Sequence, residues 1–214
     1  MSDLATELLG IVARLEEMGL NHGSSGNVSC RLPEGMLITP TGGNSANMTP
    51  ERLVRMSPDG DILGPGIPSS EWHMHLAILN AYPEVRAVVH THADHCVALS
   101  CLRRALPPFH YMVAGFGGSD IRCAPYATFG TRALAEGAVA ALQDRKACLL
   151  ANHGMIAVGK SLQQAFDLTV KLETLAKQYL LALQSGEPVL LPEEEMARVR
   201  ERYASYGRGL LAPE

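Results

Sequence analysis

Two short apolar segments that each end in histidine constrain the fold of this chain more than any other feature. They read Val-Val-His-Thr-His at residues 88–92 and Leu-Leu-Ala-Asn-His-Gly at residues 149–154. Side chains two residues apart on an extended strand point to the same side, so His90 and His92 would present their imidazoles together. His153, at the end of a neighbouring strand, would complete three nitrogens, the usual protein share of an open zinc site. The alternative is a chance histidine pair, which the second strand-end histidine disfavours.

Helical and strand periodicities alternate along the chain without a break in composition, so residues 1–214 are expected to form a single domain. Helical spacing and end signals predict helices at 3–18, 70–80, 93–103, 130–143, 162–184 and 193 to about 204. Short apolar or β-branched runs predict strands at 36–39, 53–56, 85–90, 110–113, 121–123, 148–151 and 155–158. This alternation predicts the α/β class, with a mixed sheet covered by helices.

The composition excludes several classes of function. Hydrophobic residues make up 47% of the chain and charged residues 19%, which is typical of a globular protein. The net charge of −4, with both signs interspersed, leaves no basic stripe for nucleic acid. No apolar stretch reaches the roughly 20 residues that span a bilayer, and no signal segment is apparent at the start. Five cysteines without a Cys-X-X-Cys spacing suit a reducing compartment and structural roles. We therefore expect a cytoplasmic protein without nucleic acid or membrane partners.

Three loops rich in small residues could together bind an anion. They are Gly-Ser-Ser-Gly-Asn-Val-Ser at 23–29, Thr-Pro-Thr-Gly-Gly at 39–43 and Pro-Ser-Ser-Glu at 68–71. Backbone amides and hydroxyls in such loops approach a ligand closely, so the three could hold a phosphate dianion without a lysine. The alternative is that each is an ordinary turn, in which Ser69 and Ser70 cap a helix and Glu71 occupies its first turn.

Seven motifs occur in the order of a known family. They are Gly-Asn-Val-Ser at 26–29, Ile-Thr-Pro-Thr-Gly at 38–42, Pro-Ser-Ser-Glu-Trp at 68–72, Val-Val-His-Thr-His at 88–92, His-Tyr-Met at 110–112, Cys-Ala-Pro-Tyr-Ala-Thr-Phe-Gly-Thr at 123–131 and Asn-His-Gly at 152–154. In these motifs the chain resembles the class II sugar-phosphate aldolases of the fuculose-1-phosphate aldolase type. The resemblance implies a three-layer α/β/α arrangement around a mainly antiparallel sheet. It also implies a four-fold symmetric homotetramer with active sites between subunits.

The resemblance also assigns roles to residues. It implies one Zn²⁺ per subunit, bound by Glu71, His90, His92 and His153. Substrate would displace Glu71 from the metal, after which this residue would serve as acid and base. Tyr111 would reach into a neighbouring subunit's site and exchange a proton with the aldehyde oxygen, and Tyr206 would be a mobile tyrosine beside the site. The matching phosphate-binding positions are Gly26, Asn27, Thr41, Gly42, Ser69 and Ser70.

Reaction chemistry independently favours a metal. Cleaving the C3–C4 bond of a ketose 1-phosphate leaves an enediolate, which needs either an imine to lysine or a Lewis acid. None of the four lysines, at positions 146, 160, 171 and 177, lies at a promising strand end. The expected reaction is reversible cleavage of a substrate such as L-fuculose 1-phosphate into dihydroxyacetone phosphate and a lactaldehyde-type aldehyde.

Several alternatives stay open. The segments 43–47 and 114–120 depart from the fuculose enzyme's pattern, so 5-deoxyribulose 1-phosphate and 5-methylthioribulose 1-phosphate are also candidate substrates. A methylthioribulose-1-phosphate dehydratase is a related zinc lyase. A 4-epimerase of the same superfamily carries aspartate where Glu71 stands, and a non-catalytic adducin-head-like module lacks the metal histidines.

The remaining histidines are weaker candidates for the site. His73, His75 and His95 fall on predicted helices, where histidines are more often packed or solvated than ligating. His22 and His110 flank loops near the expected site and could line it.

Overall fold

A seven-stranded sheet forms the centre of the protein in the computed structural model, which describes residues 2–205. Its strands are β1 (Asn27–Leu32), β2 (Gly35–Ile38), β3 (Val54–Met56), β4 (Ala87–Thr91), β5 (Cys123–Ala124), β6 (Ala147–Leu150) and β7 (Gly154–Gly159). Their order across the sheet is β3-β2-β1-β4-β7-β6-β5. Only the β5–β6 pair is parallel among these strands, so the expected mainly antiparallel mixed sheet is confirmed.

Helices cover both faces of the sheet. They are α1 (Ser2–Glu17), α2 (Trp72–Ala81), α3 (Asp94–Cys101), α4 (Arg132–Leu142), α5 (Leu162–Ser185) and α6 (Glu193–Ser205), with 3-10 helices at Pro50–Arg52 and Tyr111–Phe116. One hydrophobic core joins the sheet to α1, α3 and α5, and a second joins the opposite face to α2 and α4. Val89 belongs to the first core and Val88 to the second, because side chains alternate along β4. The predicted three-layer α/β/α arrangement is therefore confirmed.

The interior strand β1 was not predicted, because residues 23–29 were interpreted as a loop. Asn27 and Ser29 are polar, but Val28, Cys30 and Leu32 alternate with them and are buried in the core. β1 pairs antiparallel with β4, with Asn27 opposite His90. This part of the predicted loop therefore forms a strand that places Asn27 beside the histidine segment.

Two further predictions of strands need correction. Residues 110–113 were expected to be extended, but Tyr111–Phe116 forms a 3-10 helix in which the His110 ring accepts a hydrogen bond from the Met112 amide. The left-handed backbone of Gly117, at φ 103°, ends this helix. Of the strand predicted at 121–123, only Cys123 belongs to a strand, the two-residue β5.

The pairing of β4 with β7 brings the two histidine segments together. These strands are antiparallel, with His90 opposite Ile156 and Thr91 opposite Met155. β6 and β7 are joined by a tight turn in which Asn152 adopts a left-handed backbone, with φ 52°. His153 therefore lies at the same end of the sheet as His90 and His92.

The structure also bears on the predictions about membrane-spanning segments and cysteines. Among residues 2–205, no helix is both long enough and apolar enough to cross a bilayer. The five cysteines are free; Cys30, Cys96 and Cys148 are buried, as a structural role requires. Cys101, in contrast, is exposed.

Candidate metal centre and phosphate cleft

Four side chains converge at the ends of β4 and β6. The ligand atoms of Glu71, His90, His92 and His153 all lie within 4.8 Å of one another. Nε2 of His90 is 3.1 Å from Nε2 of His92 and 3.1 Å from Oε2 of Glu71. Nε2 of His153 is 3.4 Å from Oε1 of Glu71. Ligands of a tetrahedral zinc ion at about 2.0–2.1 Å lie roughly 3.3 Å apart, so this spacing fits such an ion.

The hydrogen bonding of His90 supports a cation at this point. Its Nδ1 lies 2.9 Å from the carbonyl oxygen of Met155, which only accepts, so Nδ1 carries the hydrogen. In the neutral ring, Nε2 then offers a lone pair toward a carboxylate oxygen of Glu71 that also offers only lone pairs. This contact is favourable only when a proton or a metal ion lies between the two atoms. A histidine that binds a metal usually donates its other ring N–H to a carboxylate, a carbonyl or a water, as Nδ1 of His90 does here.

The protonation states of the other ligands suit a metal. Burial, reinforced by the charge of His90, lowers the pKa of His92 and of His153 to about 4. Burial raises the pKa of Glu71, but the hydrogen bond and charge of His90, with the hydrogen bond from Asn27, bring it below its ordinary value. At neutral pH these histidines are therefore neutral and the glutamate is ionised, as metal ligands must be. Oε1 of Glu71 is buried and accepts no hydrogen bond, which leaves it available to an ion.

Helix α3 holds the two histidine segments at a fixed distance. It begins two residues after His92, where Glu173 of α5 accepts hydrogen bonds from the amides of His95 (3.0 Å) and Cys96 (2.9 Å). At its other end, the Ser100 carbonyl accepts from the Asn152 amide at 3.2 Å, and the Ser100 hydroxyl accepts from the His153 amide at 3.3 Å. The position of His153 is therefore tied to that of His92 through one rigid element.

Close contacts with β4 explain why a glycine, Gly154, follows His153. A Cβ at this position would lie 2.4 Å from the carbonyl oxygen of Thr91 and 3.1 Å from the His92 ring. Any side chain would therefore push β7 away from the end of β4. The close approach of the two strands, on which the histidine cluster depends, requires glycine here.

A cleft of about 470 Å³ adjoins the histidine cluster. Its wall includes Glu71, His92 and His153. The structure also places all six predicted phosphate-binding residues around it: Gly26, Asn27, Thr41, Gly42, Ser69 and Ser70. Their function in phosphate binding remains a prediction. No lysine or arginine belongs to the described lining, so an anion here would be bound by amides and hydroxyls.

Backbone hydrogen bonds join two of these loops. The amide of Thr41 donates to Ile67 and the amide of Ser69 donates to Thr39, both at 3.0 Å. Gly42 has a positive φ of 64°, which favours glycine at this position. The predicted capping by Ser69 and Ser70 is only partly correct: α2 begins at Trp72, and the Ser69 hydroxyl accepts from the Glu71 amide at 3.3 Å. Glu71 therefore immediately precedes the helix instead of lying in its first turn.

One predicted catalytic residue, Tyr111, does not line this cleft. Tyr111, at the start of a 3-10 helix, is 50% exposed and lines a separate depression with Met112, Lys171, Val199 and Tyr203. Tyr206 lies outside the described residues. The assignment of Tyr111 to a neighbouring subunit's site and the assignment of Tyr206 both remain predictions.

The structure adds residues that the sequence reasoning did not assign. Tyr126 and Phe129 line the cleft and are 56% and 66% exposed, an unusual exposure for aromatic side chains. Both fall within the motif at 123–131, so an aromatic residue in a loop of that motif was the sequence signal that could have identified them. His75 was considered only as a packed or solvated residue, although it lies one helical turn after Glu71.

The other histidines are not part of the ligand cluster. His95 contacts Glu173 at 2.6 Å, and His22 lies 3.4 Å from Asp94 at the surface. His73 is exposed and stacks on Trp72. Among the described residues, only Glu71 and the three predicted histidines form a cluster that could hold a metal ion.

Comparisons with known proteins agree with this geometry. The family model described as Class II Aldolase and Adducin N-terminal domain matches residues 6–180, a range that contains the whole ligand cluster. A 5-methylthioribulose-1-phosphate/5-deoxyribulose-1-phosphate aldolase from Rhodospirillum rubrum is 48% identical over 206 residues, covering 96% of this chain and 93% of the relative. An L-fuculose phosphate aldolase from Escherichia coli strain K12 is 45% identical over 205 residues, covering 95% of each chain.

A solved structure shares the fold over almost its whole length. The structure of an L-fuculose 1-phosphate aldolase aligns with a TM-score of 0.92 at 40% identity, covering 95% of this chain and 97% of that one.

Proposed function

We propose that this chain, as a member of the Class II Aldolase and Adducin N-terminal domain family, cleaves a deoxyketose 1-phosphate. Within that family it is a class II aldolase of the L-fuculose-1-phosphate aldolase type. The products are dihydroxyacetone phosphate and a short aldehyde, and the reaction is reversible. The observation that carries the proposal is the shared wall of the cleft, where Glu71, His92 and His153 adjoin the loops suited to a phosphate.

The phosphate end of the substrate is bound at the start of α2. Ser69 and Ser70 lie just before this helix, whose N-terminal dipole favours a negative charge. The exposed hydroxyl of Thr41 and the backbone of Gly42 and Gly26 complete the binding surface. Hydrogen bonds from neutral groups orient the phosphate without a lysine, and they fix the distance between it and the ligand cluster.

The cofactor we propose is one Zn²⁺ per subunit, held by Glu71, His90, His92 and His153. When bound, it supplies a positive charge that stabilises electrons withdrawn from the breaking carbon–carbon bond. Glu71 is the group that moves a proton at C3 of the substrate. Burial alone raises the pKa of this carboxyl, and His90 and Asn27 oppose that effect. Once Glu71 turns away from His90, the lowering effect of His90 is lost and burial raises the pKa of the carboxyl, as an acid and base requires.

Tyr111 is proposed to act on the aldehyde end from a neighbouring subunit. Its exposure and its absence from the cleft lining of its own chain support this assignment, because an exposed tyrosine is available to a second copy. A homotetramer with sites between subunits follows from the same proposal. Tyr111 then exchanges a proton with the C4 oxygen while Glu71 acts at C3.

L-fuculose 1-phosphate is one candidate substrate, and a 5-deoxy or 5-methylthio derivative of ribulose 1-phosphate is the second. The Rhodospirillum rubrum relative named for the latter pair is 48% identical to this chain. The side chains of Tyr126 and Phe129 give the cleft an aromatic wall that suits a methyl or methylthio terminus.

A panel of these three ketose 1-phosphates tests the proposal. Purified protein, loaded with zinc, is incubated with each compound, and dihydroxyacetone phosphate is measured through its reduction by a coupled dehydrogenase. Release from at least one compound supports an aldolase, and comparison of kcat/KM values identifies the preferred aldehyde. Loss of water from the methylthio compound without dihydroxyacetone phosphate would instead show a dehydratase.

A further inference from the structure

Three buried polar side chains form a chain of hydrogen bonds beneath Glu71. The Ser29 hydroxyl lies 2.7 Å from Nδ1 of His75, and Nε2 of His75 lies 2.5 Å from Oδ1 of Asn27. Nδ2 of Asn27 then donates to Oε2 of Glu71 at 3.0 Å. Ser29 and His75 are fully buried, and Asn27 is nearly so. The chain therefore joins the hydrophobic core directly to the carboxylate of the metal centre.

Each bond in this chain has one direction. The ionised carboxylate of Glu71 only accepts, so Asn27 must turn its amide nitrogen toward it and its oxygen toward His75. That oxygen accepts the hydrogen on Nε2 of His75. Burial lowers the pKa of His75 to about 3, with the charge of His90 acting in the same direction and that of Glu71 opposing it. The ring is therefore neutral, Nδ1 has a lone pair, and the Ser29 hydroxyl donates to it.

The elements that carry these residues explain the arrangement. Asn27 and Ser29 are two residues apart on β1 and point to the same face of the sheet, opposite to Val28. His75 lies on α2, which covers that face, one turn after Glu71. A polar histidine in an otherwise apolar core is costly unless both ring nitrogens are bonded, and here both are.

We propose that His75 is a positioning residue of the metal centre, which acts through Asn27 on Glu71. With hydrogen on Nε2 and with Nδ1 satisfied by the Ser29 hydroxyl, it keeps the amide N–H of Asn27, and not its oxygen, facing the carboxylate. If the carboxamide turned over, two oxygens would face each other about 3 Å apart, and Glu71 would be pushed from its place. The effect on turnover rests on the proposed function, whereas the effect on metal binding does not.

Two substitutions of His75 separate positioning from packing. His75→Gln retains an amide N–H that can reach Asn27, while His75→Met fills a similar volume without a donor. We expect His75→Met to weaken zinc binding about tenfold, as measured by competition with a chromophoric chelator, and His75→Gln to restore most of the loss. In the aldolase assay, His75→Met should lower kcat about tenfold or more with little change in KM, because the phosphate loops are intact.

A second matched pair avoids changing the histidine. The valine and threonine side chains introduced by Ser29→Val and Ser29→Thr have the same shape and differ only in the hydroxyl that satisfies Nδ1 of His75. Ser29→Val should reproduce the loss of zinc affinity, and Ser29→Thr should retain more of it. Circular dichroism and thermal unfolding establish that each variant folds, and this pair decides the question if His75→Met does not fold.

Coupling to Asn27 gives the third readout. In an Asn27→Ala background, His75→Met should cause no additional loss of zinc affinity, since the residue through which it acts is absent. Equal losses in His75→Gln and His75→Met, or a full additional loss in the Asn27→Ala background, would overturn the proposal and leave His75 a packing residue. A wild-type protein that binds zinc but cleaves no ketose 1-phosphate would contradict the proposed function alone, and the zinc affinities would still decide the role of His75.

Discussion

His90 and His92 direct their Nε2 atoms at each other across 3.1 Å at the end of the fourth strand. The side chain of Thr91, between them, points to the other side of the strand. One short segment of backbone therefore supplies two ligands and holds their rings close together. This arrangement suits two imidazoles that share a cation, because each ring can offer its Nε2 lone pair to the same ion. The first prediction follows from this contact.

Zinc should stabilise the folded protein measurably. A ligand that binds only the folded state adds about 2.7 kcal/mol at a concentration 100 times its Kd, so the thermal midpoint should rise as zinc is returned to chelator-treated protein. Calorimetry over a zinc titration measures the effect. His92→Gln should remove most of the increase. A midpoint that is the same with and without zinc would contradict a metal site at this position.

Glu71→Gln should abolish turnover while leaving the protein folded. Glutamine has nearly the same shape, but its amide cannot exchange a proton with the substrate carbon. The aldolase assay should therefore show a loss of at least about 100-fold in kcat, the lower end of what a general acid or base contributes. Thermal unfolding serves as the folding control. Undiminished activity in a folded variant would show that another group moves the proton.

Tyr111→Phe should lower kcat more than it raises KM for the ketose phosphate, because the lost hydroxyl acts on the aldehyde end. Mixing subunits of two impaired variants tests whether Tyr111 acts across an interface. After equal amounts of Glu71→Gln and Tyr111→Phe proteins are dissociated and reassembled together, about a quarter of the sites should combine both intact residues, provided the subunits assort randomly. Activity should then exceed the sum of the two variants. No gain would place both residues in one subunit's site.

Acidification should destabilise the metal-free protein, partly through His75. Its pKa is lowered from 6.5 to about 3 by burial, so between these values the unfolded chain binds a proton that the folded chain does not. The free energy of unfolding should therefore fall as the pH decreases through this window, by an amount on the order of a few kcal/mol. Urea unfolding at a series of pH values measures the slope. His75→Gln should give a flatter curve, and parallel curves would contradict the assignment.

Glu173→Ala should destabilise the protein, although Glu173 is not one of the candidate metal ligands. The carboxylate accepts hydrogen bonds from two amides at the start of α3 and from the ring of His95, and it is only 14% exposed. We expect a loss of about 2–3 kcal/mol in urea unfolding. Glu136→Ala, which removes an exposed glutamate from an ion pair with Arg132, is the matched control and should change stability by less than about 0.5 kcal/mol. Similar losses in both variants would exclude a specific cap.

The features that could be predicted from sequence are those with a strong local pattern. The six α-helices within residues 2–205 all begin and end within two residues of the predicted limits. The histidine cluster was predictable because an alternating strand fixes the relation of His90 to His92, and a second strand end was visible at His153. The α/β/α arrangement and the mainly antiparallel sheet followed from the family resemblance, and the structure confirms them.

The features that were missed depend on distant partners. Asn27 and Ser29 resemble loop residues, and their places in a strand make sense only with His75, which is 46 residues beyond Ser29 in the chain. The run at 110–113 shows the opposite error, because a short apolar segment does not distinguish a strand from a helical turn. A single sequence does not show which polar residues will satisfy one another in the core.

The antiparallel alignment that sets His90 against Ile156 has a consequence for how the chain reaches its native state. A slip of one residue between these strands would turn the His90 ring to the opposite face of the sheet and disperse the ligands. A cation present during refolding would therefore stabilise only the correctly aligned pair of strands. A metal ion bound at this cluster would in this way favour the native register of the sheet during folding.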